Sequence, residues 1–210
     1  MAIANFGIVI AGVNVPPVEF DLSRCEFRGQ HFKEQFRAPV ALQAEAPGMR
    51  LSILPDRCEF VVTAPGNIDD DVIEIIDIAN TVFEYVGERV VKAVGHNVQY
   101  VVDGSAGRKL ESVERLLQAD AINSALGHPF RSADLTFYLR FHNESMTRAL
   151  IMSEADPSSL VLDFNINFEK ETLLAREAIN GLRSSIMRTD ELAAGLSRVL
   201  LGNDDLATGR

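Results

Sequence analysis

Apolar and polar side chains alternate most regularly between residues 134 and 168. Leu135, Phe137, Leu139 and Phe141 occupy every second position, and Leu160, Leu162, Phe164, Ile166 and Phe168 repeat the pattern. Successive side chains on a strand point to opposite faces, so this spacing predicts a sheet with one apolar and one polar side. Strands are expected at about 132–142, 146–153 and 159–168. A turn over residues 142–145 would set Tyr138 near Ala149 and Arg140 near Thr147. A second meander is expected over about 38–64, because Ala46-Pro47-Gly48 and Pro55-Asp56 supply turn chemistry between its strands. Alternation also marks 4–14, 20–27 and the stretch Val98, Tyr100, Val102.

Between the meanders the apolar period changes to 3.6 residues. Asn67 is the expected N-cap of a helix over about 67–94, with Asp69, Asp70 and Asp71 at the positive end of its dipole. Val72, Ile75, Ala79, Val82, Val86 and Val90 share one face, and Gly95 offers a left-handed stop. Ile78 and Tyr85 widen this stripe, which makes them candidate oligomer-interface positions. Further helices are expected at about 108–126 and 171–200. The last is expected in two pieces, 171–187 and 190–200, with Thr189 capping the second. The expected fold class is α+β, with antiparallel meanders packed on long helices. It is read as one domain over 1–201, with sub-layers 1–104 and 105–201 and a flexible tail at 202–210. The order of three strands then a helix occurs twice, over 38–94 and 132–200.

Composition narrows the function. The 210 residues carry 20 basic and 30 acidic side chains, a net charge of −10. Nucleic-acid binding draws on phosphate neutralisation by Lys and Arg, so this balance argues against it. Arg24, Arg28, Lys33 and Arg37 form the densest basic stretch, interleaved with Asp21, Glu26 and Glu34. The apolar run Phe6–Val13 is too short to span a bilayer and has no basic residue before it, so it reads as a buried strand. A cytoplasmic chain with no membrane partner is expected. Cys25 and Cys58 form no CxxC pair and have no histidine at zinc-ligand spacing, so they read as buried thiols.

Local catalytic motifs fail in turn. Asp103-Gly104-Ser105-Ala106-Gly107-Arg108-Lys109 has two residues between its glycines where a P-loop needs four, and Leu110 stands where it needs Ser or Thr. The four histidines, His31, His96, His128 and His142, show neither HxH nor HxxxH spacing. His96 and His128 read as surface or capping residues. No GxSxG elbow or EF-hand loop is present. No catalytic residue, metal ligand or cofactor is assigned.

The polar side of the 134–168 sheet remains the candidate site. Tyr138, Arg140, His142, Asp163 and Asn165 lie on it and supply directional polar contacts of the kind enriched at interfaces. The expected function is a non-enzymatic binding or assembly protein, homo-oligomeric, acting through a sheet face and a helix face on itself or another protein. A small-molecule domain or enzyme with a pocket between sheet and helices is the alternative. The net charge also admits an acidic, antitoxin-like partner of a basic protein.

Overall fold

A computed structural model describes residues 1–86, 91–103, 134–139, 146–153, 159–169 and 174–201. Its class is α+β, as the alternating and helical periods require. Eleven described strands form a nine-stranded antiparallel sheet and a two-stranded hairpin. The strands are β1 (Ala2–Ala11), β2 (Glu26–Phe27), β3 (Gln30–His31), β4 (Lys33–Ala38), β5 (Ala41–Ala46), β6 (Met49–Leu54) and β7 (Arg57–Val62), followed by β8 (Ala93–Asp103), β9 (Asp134–Leu139), β10 (Met146–Ser153) and β11 (Ser159–Glu169). The described helices are α1 (Ile68–Asn80), α2 (Ala175–Asn180) and α3 (Leu182–Leu201), with short 3-10 turns at Leu22–Arg24 and Thr81–Glu84.

The large sheet runs β4-β5-β6-β7-β1-β8-β11-β10-β9. Outward from the central β1–β8 pair the two halves repeat one plan. The first strand of each half pairs with the last strand of its own meander, β1 with β7 and β8 with β11, and a helix follows. The repeated order of strands and helix in the sequence is thus a repeated topology about the centre of one sheet.

One face of this sheet is the core. Phe6, Ile8 and Ile10 of β1 lie opposite Val62, Phe60 and Cys58 of β7 and Val98, His96 and Val94 of β8, all buried. Burying each such aliphatic or aromatic side chain contributes roughly 1.5–3 kcal/mol, so period-two alternation is enough to fix which face takes the helices. Helix α1 packs against β7, β1, the β2–β3 hairpin, α2 and α3. Its wide apolar stripe is therefore filled within the chain. Ile78 is 4% exposed in this core, so its side chain is covered without a second copy.

Three expected elements differ. The helix expected over 67–94 ends at Asn80, continues as a 3-10 turn to Glu84, and Ala93–Asp103 is a strand. Val94 is β-branched and gains a hydrogen-bonded neighbour on each side, β1 and β11, which outweighs its helical spacing. Gly95 is accordingly a mid-strand residue, not a helix stop. The break between the C-terminal helices falls at Gly181, and Thr189 lies buried inside α3 instead of capping a helix. The meander expected over 38–64 begins earlier, with β4 at Lys33. The helix expected at 108–126 and the tail at 202–210 lie outside the described residues.

Candidate functional site

Arg28 shows how the basic stretch is used. Arg28 and Gly29 both have positive φ, 52° and 67°, as the two-residue turn joining β2 to β3 requires. From there Arg28 Nε donates to Asp71 Oδ1 at 2.8 Å and Nη2 to Asp71 Oδ2 at 2.7 Å, while Nη2 also donates to the Ala64 carbonyl. Gly66 N–H donates to the same Asp71 carboxylate at 2.8 Å. Arg24 pairs with Glu84, and Arg37 with Glu34 at 2.6 Å. These arginines are committed to intramolecular carboxylates, and a phosphate-binding surface is not formed from them. Asp71, one of the three helix-start aspartates, is 1% exposed and anchors the hairpin, a role beyond the helix dipole.

The face of the sheet opposite the core carries the polar residues. One register row crosses all nine strands: Lys33, Glu45, Arg50, Val61, Gly7, Asn97, Asn165, Arg148 and Tyr138. The neighbouring row holds Asn5, Gln99 and Asp163. Asn5 Nδ2 donates to Gln99 Oε1 at 2.8 Å, and Asn165 Nδ2 donates to Asn97 Oδ1. Toward β4 this face forms a groove of about 190 Å³ lined by Gln35, Gln43, Glu45, Arg50, Ser52 and Glu59.

Three of the five expected binding residues are described. Asp163 lies opposite Gln99 and Asn165 opposite Asn97, both half-buried on this face. Tyr138 lies opposite Arg148, one position from the expected Ala149. The observed register keeps polar with polar, where a one-residue slip would have set Tyr138 against an apolar-face position. Arg140 and His142 lie outside the described residues. Of the two expected interface positions, Ile78 is in the core. Tyr85 stacks on Phe20 with centroids 5.1 Å apart, and its hydroxyl accepts the Asp21 N–H at 2.8 Å.

A buried polar seam between β8 and α3 was not anticipated. His96 is 0% exposed, and its Nδ1 meets Ser185 Oγ at 2.7 Å. The Tyr100 hydroxyl lies 3.0 Å from Thr189 Oγ1 and donates to the Ile186 carbonyl. His96 is therefore an interior residue, not a surface or capping one. Burial pushes its pKa down to about 3, opposed only in part by the Ala178 backbone. Beside the seam, Phe168, Glu177, Gly181, Ser184, Ser185 and Arg188 border a cavity of about 210 Å³. A histidine that resists protonation this strongly is a poor general base, and Ser185 at 4% exposure is a poor nucleophile. The signal for the seam was present in Ser185 and Thr189, which share a helix face with Ile186 and Ala193 between apolar neighbours.

Among the described residues no group of three or more His, Cys, Asp or Glu side chains could hold a metal ion. No described helix is long and apolar enough to cross a membrane. No protein-family model matches the chain, and no curated protein matches it at a significant level.

Proposed function

We propose that the chain is a non-catalytic binding or assembly protein, acting on protein partners through the polar face of its sheet and assembling with copies of itself. The observation that carries this reading is the register row from Lys33 to Tyr138, with Asn97 and Asn165 hydrogen-bonded at its centre. The side-chain amides of Asn97 and Asn165 and the guanidinium of Arg50 along this row offer donors and acceptors to a polypeptide surface. No described helix packs on this face.

Native mass spectrometry of the complex purified from the source cell tests the proposal. The wild type is expected to carry bound protein. The double variant Asn97→Ala with Asn165→Ala is expected to lose it at unchanged melting temperature, since removing both partners leaves no orphaned amide. A partner protein that stays bound to the double variant overturns the reading; self-association that persists does not bear on it.

The cavity beside Ser185 favours a second reading, a small-molecule domain with its pocket between sheet and helices. Ser184 is exposed at that cavity, so Ser184→Phe closes it without touching the core. A small molecule retained by the wild type and absent from Ser184→Phe would select this reading over the first.

A further inference from the structure

We propose that two copies of this chain pair antiparallel along β4, so that their sheets continue into one another. This rests on the reading of the chain as an assembling protein, and it assigns the self-association to a surface of its own, the sheet edge. β4 ends the sheet, so one side of its backbone is not used by β5. Lys33, Glu34, Gln35 and Phe36 are exposed, Phe36 at 51%.

Charge and a bulge usually blunt such an edge, and β4 has both. Here they are arranged so that the strand matches itself. Glu34 lies opposite Ala44 and Phe36 opposite Gln43, which leaves Gln35 as the extra residue. Ala44 is buried on the helix side and Gln43 is exposed on the other, where Gln35 borders the same groove. Arg37, opposite buried Leu42, returns to the helix side. From Lys33 to Ala38 the faces read open, helix, open, open, helix, open, the same in both directions. Without the bulge, strict alternation over six residues would not be palindromic.

Opposed residues of an antiparallel pair share a face. One register satisfies this along the whole strand: Lys33 against Ala38, Glu34 against Arg37, and Gln35 against Phe36 of the second copy. A slip by one residue in either direction opposes residues of different faces, Lys33 to Arg37 or Gln35 to Arg37. The allowed register also sets Glu34 and Arg37 against each other twice, once on each side of the two-fold axis. Arg37 uses Nε for its own Glu34 and Nη1 for the Pro17 and Phe20 carbonyls. Its Nη2 and Glu34 Oε1 make no hydrogen bond among the described residues, which leaves both for the second copy. The axis stands perpendicular to the sheet, so both polar faces point to the same side. A six-residue edge is a small interface, and the dimer is expected to be concentration-dependent.

Sedimentation equilibrium of the full chain, carried to high micromolar concentration, tests this. The wild type is expected to show a monomer–dimer equilibrium. Glu34→Arg is expected to weaken it about tenfold through loss of two opposite-charge pairs, and adding Arg37→Glu to restore it. Because Arg37 also holds the 16–20 loop, Phe36→Cys gives a test independent of that swap. Its side chain is exposed, and the diagonal spacing across the axis suits a disulfide, while Cys25 and Cys58 are buried and do not compete. A linked dimer on mild oxidation supports the pairing. A dimer indifferent to Glu34→Arg and unlinked by Phe36→Cys overturns the β4 interface and leaves the assembly reading standing. A strict monomer at high micromolar concentration overturns the β4 pairing and the self-assembly part of the reading together, and leaves binding to another protein to the native mass spectrometry.

Discussion

Arg28 holds Asp71 through both Nε and Nη2, tying the tip of a two-residue hairpin to the first turn of α1 across 43 residues of sequence. The guanidinium lies over Gly48 and Gly66, where a Cβ would approach it to 3.0 and 2.9 Å. Two loops, a hairpin and a helix start therefore meet on one ion pair.

Removing either partner exposes its cost. Arg28→Ala leaves a carboxylate of 2% side-chain exposure without its counter-charge, and a loss on the order of 3 kcal/mol is expected in denaturant unfolding. Burial alone would raise the Asp71 pKa, but the Arg28 hydrogen bonds, the Gly66 N–H and the Arg28 charge outweigh it and hold the carboxyl below its usual range. A carboxyl depressed in the folded state contributes stability above its unfolded pKa of about 3.9. That contribution is lost as pH falls through the folded value. Asp71→Asn should therefore be less stable than wild type at neutral pH and show a shallower acid limb. Equal acid limbs would remove the ion pair from the stability of the fold.

His96 contributes an acid limb of opposite chemistry. Its folded pKa of about 3 lies below the unfolded value near 6.5, so below pH 6.5 the unfolded state binds the extra proton. Stability should fall by about 1.4 kcal/mol per pH unit between about 6.5 and 3 from this group alone. NMR of the His96 ring should show no titration between pH 8 and 5, and His96→Phe should flatten that part of the stability profile. A ring titrating near 6.5 in the folded protein would contradict its burial against Ser185.

Two glycines on the polar face separate steric need from empty space. A Cβ on Gly7 would lie 2.5 Å from the Phe60 carbonyl oxygen, and that backbone cannot yield without opening the β1–β7 pair. A Cβ on Gly95 would meet its nearest neighbour, Asn165 Nδ2, at 3.7 Å, an ordinary contact. Gly7→Ala is expected to cost about 2 kcal/mol or more and Gly95→Ala to be neutral or mildly stabilising, as measured by thermal unfolding.

What the residues disclosed follows the same physics. The strand at 159–168 was legible because from Leu162 to Ile166 its buried and half-buried positions follow the apolar–polar alternation, so each residue type reports its side. β4 was not, because the bulge at Gln35 breaks period two and its edge position leaves both faces polar. β8 was read in part as helix because Val86, Val90 and Val94 fit a 3.6 period, while the pairing that makes Val94 a strand residue comes from β1 and β11, far away in sequence. The position of Asp163 and Asn165 on the half-buried polar face follows from alternation alone. His96 and Ser185, 89 residues apart, meet only through the packing of α3 on β8, which no local pattern records.

The thiols give a direct check on the packing of the core at the hairpin and at β7. Cys58 stands on β7 between Ile10 of β1 and Ile53 of β6, and burial pushes its pKa up to about 12. Burial likewise raises Cys25 to about 11, only partly offset by its Thr81 contact. At pH 8 the reactive thiolate is then about one part in ten thousand at Cys58 and one in a thousand at Cys25, before access is considered. Neither cysteine should react with an alkylating reagent in the native protein over minutes, and both should react at once in denaturant. Slow native labelling should follow global unfolding, so Arg28→Ala should accelerate both sites together. Labelling of Cys25 alone in that variant would mean that the Asp71 anchor holds only the hairpin side of the core, with the β7 side opening independently.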